Sequence, residues 1–272
     1  MPVETAIENK MVFRKTNAAA GRHISVTPAN STNRHLSYGR IILNPQLPSV
    51  AFRNGGQETG FIVLTGAATV TVDGNAHELV QYDGIYIPRD SSIEVRSTGV
   101  DIVELSCDVE AHYPLQAVRY AEVLQNGSLS FNAGAVTSQR RVNIVLGKNV
   151  EAGRLVAGFT VVEPGNWASW PPHEHGAMLE EMYVYFNMPD PSFAIQMVYN
   201  DTQYPELVTV VRDGDAVLMP SGYHPNVTVP GHRMCFLWAM AAVREKEDRQ
   251  FGVVNVQQGF NTGGSGLEAS RK

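Results

Sequence analysis

Residues Ala68 to Leu79 read ATVTVDGNAHEL, and they decide the fold. Thr69, Val70, Thr71 and Val72 alternate polar and apolar, the two-residue period of a strand with one face in a core. Asp73-Gly74 then supplies the positive dihedrals of a tight two-residue turn, and the chain returns. Working outward, short strand-like runs follow at Gly84 to Pro88, Ser92 to Val95 and Ile102 to Leu105, separated by Gly, Pro, Asn and Asp. Long helical periodicity is nearly absent. Short strands at this spacing predict an all-β fold of the sandwich or barrel type.

A second cycle of strands begins after the polar stretch Leu124 to Arg141. It runs through Arg154 to Val162, Glu181 to Phe186, Phe193 to Tyr199, Leu207 to Val211, Ala216 to Met219 and Arg233 to Met240. The two cycles correspond best at Asp83-Gly84 to Pro88 and Asp213-Gly214 to Pro220, each a turn, a short apolar strand and a proline. The expected division is therefore an N-terminal barrel over residues 1–138, a C-terminal barrel over 139–258 and a small polar tail over 259–272 that carries no chemistry.

Composition narrows the partners. The chain has 272 residues, 43% of them hydrophobic and 18% charged, which is the profile of a globular protein. A net charge of −6 offers no basic footprint for nucleic acid and no polybasic face for a membrane. A small-molecule partner is the better expectation. No apolar run has the length of a membrane span, and MPVETAIENKMVFRK lacks the apolar centre of a secretion signal. Cys107 and Cys235 stand in strand-like sequence and read as two buried thiols, so the expected compartment is the cytoplasm.

Chemistry concentrates in the second cycle. In an extended strand residues i and i+2 share a face, so His173 and His175 can point into a barrel together while Glu174 points away. Taken alone, His-x-His is as often a solvated surface pair as a chelate. What strengthens it is its company: Glu180-Glu181 open the next strand, and Gly214-x5-Pro220-x-Gly222-x-His224-x-Asn226 follows. Between Glu58 and Pro88 the first cycle offers only His77, beside a turn and expected on the surface, and His23, His35 and His112 lack partners at useful spacing.

These two motifs resemble those of the cupin superfamily, G-x5-H-x-H-x3,4-E-x6-G and G-x5-P-x-G-x2-H-x3-N. Two extra residues precede His173, one is missing between Gly222 and His224, and Asn187-Met188-Pro189-Asp190 replaces the glycine after the glutamate strand. The resemblance implies a divalent metal on His173, His175, His224 and a glutamate. The gap from His175 favours Glu180 and the position ahead of the strand favours Glu181. Glu181 is preferred, which places Tyr183 and Tyr185 on the pocket side; Glu180 as ligand would instead turn Met182, Val184 and Phe186 inward. Three imidazoles and a carboxylate leave positions open for substrate oxygens and suit zinc, iron, manganese or nickel, among which ligand type alone does not choose; zinc is the expectation, with manganese or iron as alternatives.

GNWASWPPHEHG, LEEMYVYFNM, FAIQMVYND, VRDGDAVLMPSGYHP and FLWAMAA narrow the resemblance to a family of two-cupin isomerases. Its members include the 5-deoxy-glucuronate isomerase of inositol catabolism and its sister, the ketol-isomerase of 4-deoxy-5-hexosulose-uronate. TGAATVTVDGNAHEL likewise resembles the metal-free first barrel of the inositol-pathway member. The family implies an aldose–ketose isomerase of a deoxy uronic acid, and a homo-oligomer. Such chemistry needs a metal to polarise neighbouring oxygens, a base, a proton donor and a cation for the carboxylate. Glu180 or a metal-bound hydroxide is named as base, and Tyr183 and Tyr185 as donors. Arg141, Arg154 and Arg212 are the candidates for the carboxylate. The plainer readings are that a barrel tyrosine packs with its hydroxyl satisfied and that an arginine is solvated. Trp167 and Trp170 are expected either to wall the pocket or to cap the barrel. Two other classes remain open, an iron dioxygenase and a sugar-binding bicupin that keeps its metal for structure.

Overall fold

The computed structural model describes residues 8–260. Strands dominate, and the only helices among the described residues are Glu8–Met11 and Tyr120–Gln125. The opening hairpin forms as read, with Asp73 and Gly74 at φ of 47° and 84°. Its first arm belongs to one long strand, Gln57–Val72, whose first half pairs with Gly84–Ile87 and Val100–Asp108. The second half pairs with Asn75–Val80 and Ser92–Arg96. The change of partner falls at Gly66, which has φ +78 and lies so close to the opposing strand that a Cβ there would meet the Gly99 carbonyl oxygen at 2.1 Å. Glycine is required at that crossing.

The second barrel is a seven-stranded sheet facing a four-stranded one. The larger sheet runs, from one edge to the other, Val12–Phe13, Ala216–Met219, Leu179–Phe186, Met234–Ala242, Leu155–Val162, Arg140–Leu146 and Ser130–Ala133. Trp167–Ala168, Asn226–Thr228, Ala194–Val198 and Leu207–Val211 form the smaller. Two edge strands thus come from outside residues 139–258: one from the N-terminal end of the chain, the other from the stretch read as a linker.

The repeat is closer than the sequence suggests, but two residues out of the expected alignment. Asp83 accepts the Val80 N–H, the Tyr120 N–H and an Arg119 Nη1 hydrogen bond. Asp215, not Asp213, accepts the matching set from Arg212 N–H, Lys15 N–H and Arg14 Nη1. The register of the paired strands then makes Gln57–Val72 the counterpart of Leu179–Phe186, with Glu58 matching Glu180 and Thr59 matching Glu181.

Three cores follow from this plan. One fills the first barrel around Phe61, Val63, Ile85 and Ile102, another fills the second around Tyr185, Phe236 and Trp238. The third lies between the barrels, where Leu36, Tyr38, Ile62 and Leu105 meet Leu155, Phe159, Met182, Val184 and Leu237. Cys107 and Cys235 are buried free thiols at this shared face.

Two buried carboxylates cross the same face in opposite directions. Glu58 of the first barrel accepts the backbone N–H groups of Gly153, Arg154 and Leu155 at 2.6–2.8 Å, and the Tyr86 hydroxyl at 2.8 Å. Glu180 of the second accepts those of Arg34, His35 and Leu36 at 2.6–2.8 Å. A buried carboxylate is tolerated only when its oxygens are satisfied in this way.

Candidate metal centre and pocket

The pleat of Leu179–Phe186 separates the two glutamates. Glu181, Tyr183 and Tyr185 point into the second barrel, while Met182, Val184 and Phe186 join the core between barrels and Glu180 shares their side. His173 lies in the short strand His173–Glu174, just before His175. His224 stands in the loop ahead of Asn226–Thr228. Gly222 makes that loop feasible, since it holds φ +88 with the Tyr199 carbonyl oxygen 2.9 Å from where a Cβ would stand.

One candidate ligand atom from each of His173, His175 and His224 can be chosen so that all three lie within 4.8 Å of one another. The Nδ1–H of His173 donates to the Pro171 carbonyl and that of His224 to the Gly222 carbonyl, both at 2.9 Å. These bonds fix the tautomer and turn each Nε2 lone pair toward the cluster, the usual outer support of a metal-bound histidine. Glu181 Oε2 lies 2.8 Å from His175 Nε2 and 2.9 Å from His224 Nε2. Nevertheless the buried His224 Nε2 has no hydrogen-bond partner. A buried imidazole lone pair without a proton to accept, beside two imidazoles and a carboxylate, fits a divalent cation.

Electrostatics agrees with that donor set. Burial, together with the neighbouring His224 and His175, pushes the His173 pKa down to about 3, so it is neutral and able to ligate at pH 7. Burial alone would raise the Glu181 pKa, but His175 and His224 outweigh it and hold the carboxyl well below the usual range. Glu181 is an anion, and its charge outweighs burial to raise the pKa of the neighbouring His224.

Beside the cluster opens a pocket with about 490 Å³ of empty volume, mouth included. Its polar lining is His173, His175, Glu181, Tyr183, Ser169, Thr160 and Arg140. Phe236, Trp238, Met240, Val142, Phe251 and Val254 supply the apolar part. Strand order arranges these: Glu181 and Tyr183 face Met240 and Trp238 on the neighbouring strand, then come Thr160, Val142 and Arg140. Across the sheet, Met240 and Trp238, then Thr160, lie between the strand of Glu181 and the strand of Arg140. The Tyr183 hydroxyl is hydrogen-bonded to Ser169 Oγ at 2.6 Å, and burial keeps its pKa well above 10.

The chain after the last strand of the large sheet lines the pocket through Phe251 and Val254 and runs past the His173 strand. Phe251 stacks on Trp238 at 4.9 Å, Asn255–Val256 pairs with His173–Glu174, and Gln257 N–H donates to the Pro172 carbonyl. Among the described residues, the strand that carries His173 has this strap as its sole β-ladder partner.

The remaining sequence candidates lie elsewhere. Glu180 faces the first barrel and is not a base in this pocket. Tyr185 is on the inward face but packed deeper, bonded to Gln196 Oε1 and Asn226 Nδ2. Arg141 points outward from its strand onto Ser130 Oγ. Arg154 ties the Asp108, Ala242 and Val243 carbonyls together, and Arg212 lines a surface groove with Asp213 and Asp190. The arginine in the pocket is Arg140, held by the Ser138 and Trp170 carbonyls. Burial lowers its pKa to about 10, which leaves it charged at pH 7. Strand parity was the signal for it: Arg140, Val142 and Ile144 share the inward face. Ser169 and the strap carry no comparable sequence signal. Trp167 and Trp170 pack on each other at 5.2 Å, with Phe260 against Trp170, outside the pocket lining.

Comparison with known proteins places this geometry. The KduI/IolB family profile matches residues 11–254. A 5-deoxy-glucuronate isomerase of Geobacillus thermodenitrificans is 32% identical over 165 residues, covering 58% of each chain. One from Geobacillus kaustophilus is 30% identical over 203 residues, or 68% of this chain and 72% of the relative. Among solved structures, an IolB-like protein of Salmonella typhimurium LT2 superposes with a TM-score of 0.81 at 20% identity, over 93% of this chain and 98% of the other. With a profile match across most of its length and two barrels in the same arrangement, the chain belongs to the KduI/IolB family.

Proposed function

We propose that this chain is a metal-dependent aldose–ketose isomerase that converts 5-deoxy-glucuronate to 2-deoxy-5-keto-gluconate in inositol catabolism. The observation that carries the reading is the pocket's lining: metal ligands, a buried guanidinium, the hydroxyl of Tyr183 and the apolar faces of Phe236 and Trp238 share one cavity. 5-Deoxy-glucuronate carries a reactive carbonyl with its neighbouring hydroxyl at one end and a carboxylate at the other, with further hydroxyl-bearing carbons and then a methylene between them. The curated relatives named for that reaction support the same choice.

His173, His175, Glu181 and His224 would hold the ion, zinc first and manganese or iron as alternatives from the donor set. When bound, a divalent cation polarises the adjacent carbonyl and hydroxyl oxygens and makes the intervening C–H acidic. With Glu180 turned into the other barrel, removal of the carbon-bound proton would fall to the remaining candidate base, hydroxide supplied by the ion, and the chain fills the other roles. Arg140 is in place to pair with the carboxylate, a charge-assisted contact worth about 1.5–3 kcal/mol. Tyr183 Oη, protonated at neutral pH, donates to a substrate oxygen, and Ser169 Oγ orients it. Phe251 and Val254 exclude water from the enediol stage. A hydroxyl in place of the methylene would lose its water against Phe236 and Trp238 without a partner, and this disfavours fully hydroxylated uronates.

No helix among the described residues is long and apolar enough to cross a membrane. A cytoplasmic homo-oligomer built from a metal-free barrel (1–138) and a metal barrel (139–258) completes the proposal, with the edge strands shared as described above.

A coupled assay with both candidate deoxyuronates tests it. Ketose formation from 5-deoxy-glucuronate is expected, at a kcat/KM above that for 4-deoxy-5-hexosulose-uronate. A metal-loaded protein that turns over neither, or one that consumes oxygen with iron bound, would overturn it.

A further inference from the structure

The carboxylate next to the metal ligand is anchored in the other barrel. Glu181 makes the last register pair of Leu179–Phe186 with Ala216–Met219, so Leu179 and Glu180 have a strand neighbour only on the side of Met234–Ala242. From the first barrel the Arg34, His35 and Leu36 N–H groups converge on Glu180, whose side chain is buried. Three successive amides converging on an anion make a nest. It is shaped within the first barrel, where the buried Asn33 Nδ2 donates to the Leu36 carbonyl at 3.0 Å.

We propose that Glu180 is a positioning residue for the metal centre: by docking into the 34–36 nest it fixes the backbone that aims Glu181, so the metal-free barrel sets metal affinity in its neighbour. Metal–ligand distances tolerate errors of only about 0.2 Å. Glu181 has strand partners on both sides but the two residues before it have one, and the three hydrogen bonds to Glu180 restrain the chain just where the ladder narrows. Glu58 provides the internal control. It makes the reciprocal contact with the same number of backbone amides, but its chain neighbour is Thr59 rather than a ligand.

The inference rests on the metal reading of the site, and the experiment separates the two. Zinc affinity is measured by chelator competition on the full chain, with thermal unfolding in parallel, for wild type, Glu180→Gln, Glu58→Gln and Asn33→Ala. Asn33→Ala loosens the nest without touching the ligand strand, and it keeps the test alive if Glu180→Gln does not fold. The expected result is zinc bound about 10- to 100-fold more weakly by Glu180→Gln and by Asn33→Ala, as for other outer-shell changes. Glu58→Gln loses thermal stability and keeps wild-type affinity within about threefold, taking the same outer-shell range as the yardstick. Wild-type affinity in both Glu180→Gln and Asn33→Ala overturns the proposal, as does an equal loss in Glu58→Gln and Glu180→Gln. Failure of the wild type to bind zinc, manganese or iron overturns the metal reading itself.

Discussion

The two barrels share a strand plan and differ in what their inner faces carry. Where the second places Glu181, the first has Thr59, hydrogen-bonded to Asn54; where the second has Tyr183, the first has Phe61. At the place of Trp238 stands Glu104, and at that of Val142 stands Arg22. Glu104 and Arg22 bond bidentately at 2.7 and 2.8 Å, with the guanidinium 3.7 Å over the Phe52 ring. The space that is a pocket in one barrel is plugged by an ion pair in the other. Function therefore follows from side chains at equivalent positions and not from the barrel, in keeping with sites grafted onto a common fold.

Several substitutions would break or sharpen that contrast. The largest effect is expected from His224→Ala, which should lower turnover by about 10³-fold or more, the several kcal/mol that metal polarisation contributes. The variant should still fold, and retained turnover would break the contrast at once. Arg140→Met should cut kcat/KM for the uronate by about 10- to 100-fold, mostly through KM, while Arg141→Met changes little; steady-state kinetics reads both. Tyr183→Phe should lower kcat by about 10- to 100-fold with metal content unchanged. Comparable in size is the substrate contrast: glucuronate, with its extra hydroxyl, should be used up to about 10²-fold less well than the deoxy acid, and Phe251→Ala should narrow that gap. The smallest effect on activity belongs to Arg22→Ala. It should cost about 1–3 kcal/mol in urea unfolding by leaving buried Glu104 without its partner, yet leave metal content and kcat unaltered.

What could be read from the sequence divides along physical lines. Local periodicity and turn chemistry made the hairpin at Asp73-Gly74 legible, because a two-residue turn is set by the residues within it. The His173, His175 and His224 set was legible because its spacing is carried by one strand and one glycine-bearing loop. The choice between Glu181 and Glu180 needed the pleat, and the fate of Glu180 needed contacts 144 to 146 residues away that no local pattern encodes. Arg140 was missed for a different reason: Arg140-Arg141 read as the polar end of a linker, although strand parity already placed Arg140 beside Val142. The strap was invisible, since GVVNVQQGF has too little periodicity to show that it crosses a pocket mouth. Residues 261–272, most of the expected tail, lie outside the described residues.

Metal content per chain tests the central contrast most directly. Elemental analysis of the purified protein should find one divalent metal per chain, absent from the His173→Ala and His224→Ala variants and present in full in Arg22→Ala. Two metals per chain, or an unchanged content after either histidine is replaced, would contradict the assignment of the centre to the second barrel alone.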